Sequence, residues 1–161
     1  MPARGGRIDG SDGGAGGCTS RLEPMHRSFR REVKALDDVF RFTSEFVDAN
    51  PIDESVAFAM NLAIEELFTN IIKYSADSGS DVSIHLDITA GDLIIKITDF
   101  DVEAFDVTAA DRVDVDKPIE ERRPGGIGLH LVRNMVDKIT YEYKDRKACI
   151  TLVKHLEDSD V

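Results

Sequence analysis

Residues 125–137 read Gly125-Gly126-Ile127-Gly128-Leu129-His130-Leu131-Val132-Arg133-Asn134-Met135-Val136-Asp137. Three glycines within four positions open a run that we expect to be helical to about Lys138. Glycine at a helix start lets backbone N–H groups approach an anion, and the helix dipole favours negative charge there. Glycines also mark plain loops, so the flanking sequence has to decide. Downstream, Ile139–Tyr143 and Ala148–Val153 read as a hairpin across Lys144–Lys147. Upstream, residues 101–124 lose all periodicity and carry Glu103, Asp106, Asp111, Asp114, Asp116, Glu120 and Glu121. A loop of that length is uncommon in a compact domain unless it is a lid or a binding element.

Further upstream the pattern has period two. Val82, Ile84, Leu86 and Ile88 alternate with polar residues, Gly91-Asp92 offers a turn, and Leu93 to Thr98 form the returning strand. Before it, Asp53 is expected to cap a helix running to about Tyr74. That helix is apolar nearly all round, from Val56 to Ile72, so it should be central and buried. Lys34 to Ala49 form another helix, with Leu36, Val39, Phe40, Phe46 and Val47 near helical spacing, ended by Asn50-Pro51. Ser28 to Val33 read as a short edge strand with Phe29 inward. The order is helix, helix, hairpin, long loop, helix, hairpin. It implies an α+β two-layer sandwich, helices on one face of a mixed, mainly antiparallel sheet.

Seven of the 12 glycines lie between Gly5 and Gly17. Residues 1–24 hold few large apolar groups, too few to offset ordering entropy, and read as a disordered tail before a domain at 25–161. Met25 stands where periodic sequence begins, and one reading is that translation starts there. The chain has 20 basic and 31 acidic side chains, a formal charge of −11. The tail nets to zero, so the whole excess falls on 25–161. Such acidity does not suit a nucleic acid backbone or an anionic membrane surface. No signal peptide is expected, and no apolar run was expected to reach transmembrane length. Cys18 and Cys149 form no CxxC pair, and no zinc site is expected. The default is a cytoplasmic protein with reduced thiols.

Three pieces carry chemistry. Glu66 and Asn70 are separated by one helical turn and share a face. A carboxylate and an amide among Leu67, Phe68 and Ile71 need partners. A magnesium ion with its waters fits Asn70, and Glu66 suits a general base for a hydroxyl attacking a phosphate. A polar stripe facing solvent is the alternative. Asp99, at a strand end, is placed to accept a hydrogen bond from a ligand amine such as that of adenine, or to serve as a turn residue. The third piece is the Gly125–Leu129 helix start, with Arg122 and Arg123 before it, either meeting phosphate charge or solvated.

In this order, Glu65-Glu66…Asn70, Thr98-Asp99…Asp101 and Gly125 to Asn134 resemble the Bergerat-type ATP-binding fold of gyrase, histidine kinases and mismatch-repair ATPases. The layout is most similar to anti-sigma factor serine kinases of the RsbW and SpoIIAB type, over about Arg27 to Leu156. Ala104–Asp106 resembles the turn after the nucleotide aspartate in that family. The resemblance implies Asn70 as magnesium ligand, Glu66 as base and Asp99 as the adenine-reading aspartate. It further implies that Gly125, Gly126, Ile127, Gly128 and Leu129 bind phosphate, with residues 101–124 as a mobile ATP lid. Asn70-Ile71-Ile72-Lys73-Tyr74 is similar to the N-box of sensor histidine kinases, with Lys73 on phosphate, although no H-box is present.

The function implied is an ATP- and Mg2+-dependent protein serine/threonine kinase and anti-sigma factor, a family whose members are often homodimers. Its implied partners are a sigma factor and a STAS-domain antagonist that it phosphorylates, with no direct nucleic acid contact. The chain departs at Asp101, where that family has glycine. A side chain there is expected to crowd adenine and add a like charge near the phosphates. The alternatives are a Bergerat-fold module that sequesters a partner without catalysis, or a regulator of some other signalling protein.

Overall fold

In the computed structural model the described residues are 23–104 and 126–157, with the backbone alone for 126–129. The expected tail at 1–22, the lid from 105 to 124 with Arg122 and Arg123, and Gly125 lie outside them. Five strands and three α-helices follow in order: β1 (Met25–Phe29), a 3-10 turn (Val33–Ala35), α1 (Leu36–Ala49), α2 (Glu54–Tyr74), β2 (Val82–Thr89), β3 (Asp92–Phe100), α3 (Gly126–Met135), β4 (Lys138–Lys144) and β5 (Lys147–His155). The described strands form one sheet in the order β1-β2-β3-β5-β4. Every pairing is antiparallel, so the expected mixture is absent from the described sheet.

Alternation explains which face the helices cover. Val82, Ile84 and Leu86 of β2, Leu93, Ile95 and Ile97 of β3, and Ile150 and Leu152 of β5 all point into one core. Against them pack Val39, Phe42 and Phe46 of α1 and the apolar residues of α2 from Val56 to Ile71. Val132 of α3 closes the layer. Phe42 was not among the expected inward positions of α1, yet it is buried against Phe29, ring centres 5.6 Å apart.

α2 is long and apolar enough to cross a membrane by length and composition alone. Half of its most apolar window is buried in this core, so it is a core helix. Burial is not all-round: among the apolar residues of α2, Phe58 is 64% exposed.

Several boundaries differ from expectation, each for a local reason. The edge strand is Met25–Phe29 rather than Ser28–Val33, because its register on β2 runs from Met25 opposite Leu86 to Phe29 opposite Val82. Phe29 is inward as expected. Asp53 sits at the N-cap of α2, but its carboxylate accepts from the Ser55 hydroxyl at 2.7 Å instead of from the helix backbone. The β2–β3 turn is Ala90-Gly91, since Asp92 already pairs with Thr89. Both turn residues have positive φ, 52° and 82°, as a two-residue hairpin requires. The third helix ends at Met135, and Lys138 begins β4.

Candidate functional site

Asp99 lies on the inward face of the sheet. It stands opposite Val82 on one side and Ala148 on the other, in a row that begins at Phe29. A carboxylate there, 4% exposed, requires a partner. The partner is Arg31, two residues past the end of β1. Its Nη2 donates to Asp99 Oδ1, and both side chains are about one-twentieth exposed. Arg31 Nε also donates to the Ser80 carbonyl at 3.3 Å. The connection from α2 to β2 is tied to the same strand end, because the Ser78 hydroxyl donates to the Phe100 carbonyl at 2.7 Å.

The last two turns of α2 bring the second group of residues. Asn70 is 2% exposed and Glu66, one turn earlier, is half-buried. The expectation of a solvent-facing stripe therefore fails at Asn70. Its Nδ2 is buried without a hydrogen-bond partner among the described residues. Rotating the amide exchanges donor and acceptor, so the same position can offer an oxygen to a cation. Burial pushes the Glu66 carboxyl above the usual carboxylate range, and neighbouring Glu65 adds to the shift. Lys73 is exposed on the final turn, its ammonium 4.9 Å from the centre of the Tyr74 ring.

Asp101 stands just past the end of β3. Its φ is 55°, a left-handed conformation that glycine adopts freely and aspartate tolerates better than most residues. Its carboxylate is engaged by Arg146 Nε at 2.9 Å. The added negative charge is therefore offset locally. Arg146 belongs to the β4–β5 turn, with φ 63°, and its carbonyl accepts from the Val102 N–H at 3.0 Å. The Tyr143 hydroxyl donates to the Val102 carbonyl at 2.9 Å. The chain leaving β3 is thus pinned to the last hairpin before it enters the segment expected to be a lid.

Between these parts is a cavity of about 340 Å³. Tyr74 and Ser78 line it on the α2 side, Asp101, Val102 and Ala104 on the β3 side, and Arg146 on the hairpin side. Its volume falls at the small end of the range for ligand pockets. It lies one helical turn past Asn70 and two residues past Asp99.

α3 packs along α2, and its first turn is the backbone of Gly126, Ile127, Gly128 and Leu129. Asn70 on α2 and Asp99 on β3 stand on elements that pack together, but neither lines the cavity, and the described residues do not give Gly125 or the side chains of Ile127 and Leu129. Sequence reasoning missed Arg31, Tyr143 and Arg146. Nothing in local pattern marked them, since their partners are 68, 41 and 45 residues away. A buried lone aspartate does imply a cation, but nothing in the sequence marked Asp99 as buried. Among the described residues no cluster of three or more metal-ligating side chains exists, and Cys149 is a free thiol.

A family model described as histidine kinase-like ATPase domain matches residues 29–154. A serine-protein kinase RsbW of Halalkalibacterium halodurans is 26% identical over 106 residues, 63% of this chain and 64% of that protein. The serine/threonine-protein kinase BtrW of Bordetella bronchiseptica is 28% identical over 100 residues, 61% of this chain and 70% of its own. The chain thus spans less than two thirds of the first relative. Among solved structures, the RsbU and RsbW domains of Rv1364c from Mycobacterium tuberculosis superpose with a TM-score of 0.61 at 14% identity, over 83% of this chain and 32% of that one. The SiaB-SiaC complex from Pseudomonas aeruginosa gives 0.59 at 14% identity, over 83% and 91%. These two likenesses speak to the fold.

Proposed function

Because the chain belongs to the histidine kinase-like ATPase domain family, we propose that it is a serine/threonine protein kinase of the partner-switching type. On this reading it binds magnesium–ATP, phosphorylates a STAS-domain antagonist and acts as an anti-sigma factor. The observation that carries the proposal is a pair of buried polar groups, Asn70 on α2 and Asp99 on β3, on two elements whose C-terminal ends lead to the lining residues Tyr74 and Asp101 of a ligand-sized cavity. The relatives named as serine and serine/threonine kinases support the chemistry.

The residues fit such a ligand. Asn70 has a buried amide nitrogen without a partner among the described residues, and rotating the amide puts its oxygen there, which suits a ligand for a hydrated cation. Asp99 would accept from the adenine amine, and Lys73 with the first turn of α3 would face phosphate. A bound magnesium ion neutralises phosphate charge, which together with positioning supplies most of the catalysis in this reaction class. Glu66 takes the proton of the attacking hydroxyl; its raised pKa makes it a better proton acceptor than an ordinary carboxylate. The non-catalytic reading rests on Asp101 crowding adenine and adding charge, and the solvent-exposed Arg146 pair offsets part of that charge.

The test is transfer of the labelled γ-phosphate from ATP to a STAS-domain protein. Transfer by the parent chain, lost in Glu66→Gln while nucleotide binding persists, is expected. Binding of nucleotide without transfer to any hydroxyl would overturn the kinase reading.

A further inference from the structure

Four buried side-chain atoms lack hydrogen-bond partners among the described residues; one is Asn70 Nδ2, of the proposed nucleotide site, and another is Nη1 of Arg31, the ion-pair partner of Asp99. The proposed function gives Asn70 a task but gives Arg31 none. The Arg31 side chain is 6% exposed and bonded through Nη2 to Asp99 and through Nε to Ser80, and its Nη1 donors have no partner among the described residues. Burying a guanidinium with unused donors is unfavourable unless something occupies them. The unused nitrogen is held on the same rigid group that grips Asp99.

We propose that Arg31 is part of the nucleotide site. It holds the Asp99 carboxylate in place through Nη2 and presents Nη1 as a donor to a ring nitrogen next to the adenine amine. This rests on the reading of Asp99 as the residue that accepts from that amine. The chemistry is complementary. Adenine presents an amine donor flanked by acceptor nitrogens, N1 on one side and N7 on the other. The Asp99–Arg31 pair presents an acceptor beside a donor. Asp99 alone recognises any amine in reach; with Arg31 the site also requires an acceptor beside it.

The experiment is calorimetric titration of the full chain with magnesium and ATP, 1-deaza-ATP or 7-deaza-ATP, in the parent and in Arg31→Met. The parent is expected to bind ATP about tenfold or more tighter than one of the two analogues, the size of one hydrogen bond from a charged donor. Which analogue is penalised identifies the nitrogen. In Arg31→Met that preference should fall close to one.

An Arg31 that serves structure alone would weaken all three ligands alike, and that result overturns the proposal. So does tighter ATP binding by Arg31→Met, which would make Arg31 a competitor of the base. Should Arg31→Met fail to fold, the parent decides: equal affinity for ATP and both analogues refutes the donor role. No binding of ATP by the parent refutes the nucleotide reading itself, and this inference with it.

Discussion

Replacing Asp99 by asparagine strands Arg31, and the cost follows from how the pair is buried. The two side chains are 6% and 5% exposed. Without the Asp99 charge, the guanidinium keeps the Ser80 carbonyl at 3.3 Å and a neutral amide, with Nη1 still lacking a partner. Removing one member of a buried pair costs about 3–5 kcal/mol, whereas a solvent-exposed pair contributes about 0–1. Domains of this kind have total stabilities of about 5–15 kcal/mol, so Asp99→Asn should forfeit a large part of the margin. The double variant Arg31→Met with Asp99→Asn leaves no stranded charge and should recover most of the loss. Urea unfolding followed by far-UV circular dichroism measures both, with an unchanged slope confirming that compactness is preserved. A loss under about 1 kcal/mol in Asp99→Asn, or a double variant no better than the single, refutes the claim that the pair is dry.

The other predictions concern single groups. Glu66 binds its proton more tightly folded than unfolded, so the folded chain loses stability as the pH rises through that raised pKa. Denaturation at two pH values should therefore find Glu66→Gln more stable than the parent at neutral pH and no different near pH ~3, well below the ordinary carboxylate value. Asn70→Ala should abolish magnesium-dependent nucleotide binding while leaving the far-UV spectrum unchanged. Asp101→Gly should leave ATP affinity unchanged in calorimetry, because the carboxylate it removes is already matched by Arg146; a marked gain would restore the expectation of crowding. The His155 Nδ1–H donates to the Asp92 carboxylate at 2.7 Å, and that bond followed by the Asp92 charge raises its pKa. Any stability it contributes is present below the ordinary histidine value and lost as the pH rises through the raised one. An NMR titration should place it above free histidine, and Asp92→Asn should bring it down.

Most of the architecture was legible because it is written in local period. The alternation at Val82–Ile88 and the apolar surround of α2 each announce one element and its buried face, and the antiparallel hairpins follow from short turns. The errors came where pairing register overrides propensity. Met25–Phe29 is the strand because Phe29 meets Val82, not because its own residues favour extension over those that follow. The Ala90-Gly91 turn displaced the expected Gly91-Asp92 for the same reason.

The site was legible in part. Glu66 and Asn70 are one turn apart on one helix, so spacing alone places them together. Asp99 was readable as a strand-end carboxylate, but its burial and its partner were not. Arg31 reaches it only because β1 lies two strands from β3, a fact of sheet order. The partner of Asp101 was not legible, because Arg146 comes from the opposite hairpin and holds the chain at Val102 as well. Long-range pairs of this kind leave no local mark in a single sequence.

The proposed function places Asn70 and Asp99 in one magnesium–ATP site. The decisive experiment is calorimetric titration of the full chain with ATP, with and without magnesium. One nucleotide should bind per chain, tighter with magnesium, and a folded Asn70→Ala variant should bind none. Absence of binding in the parent, or undiminished binding in Asn70→Ala, would contradict that placement.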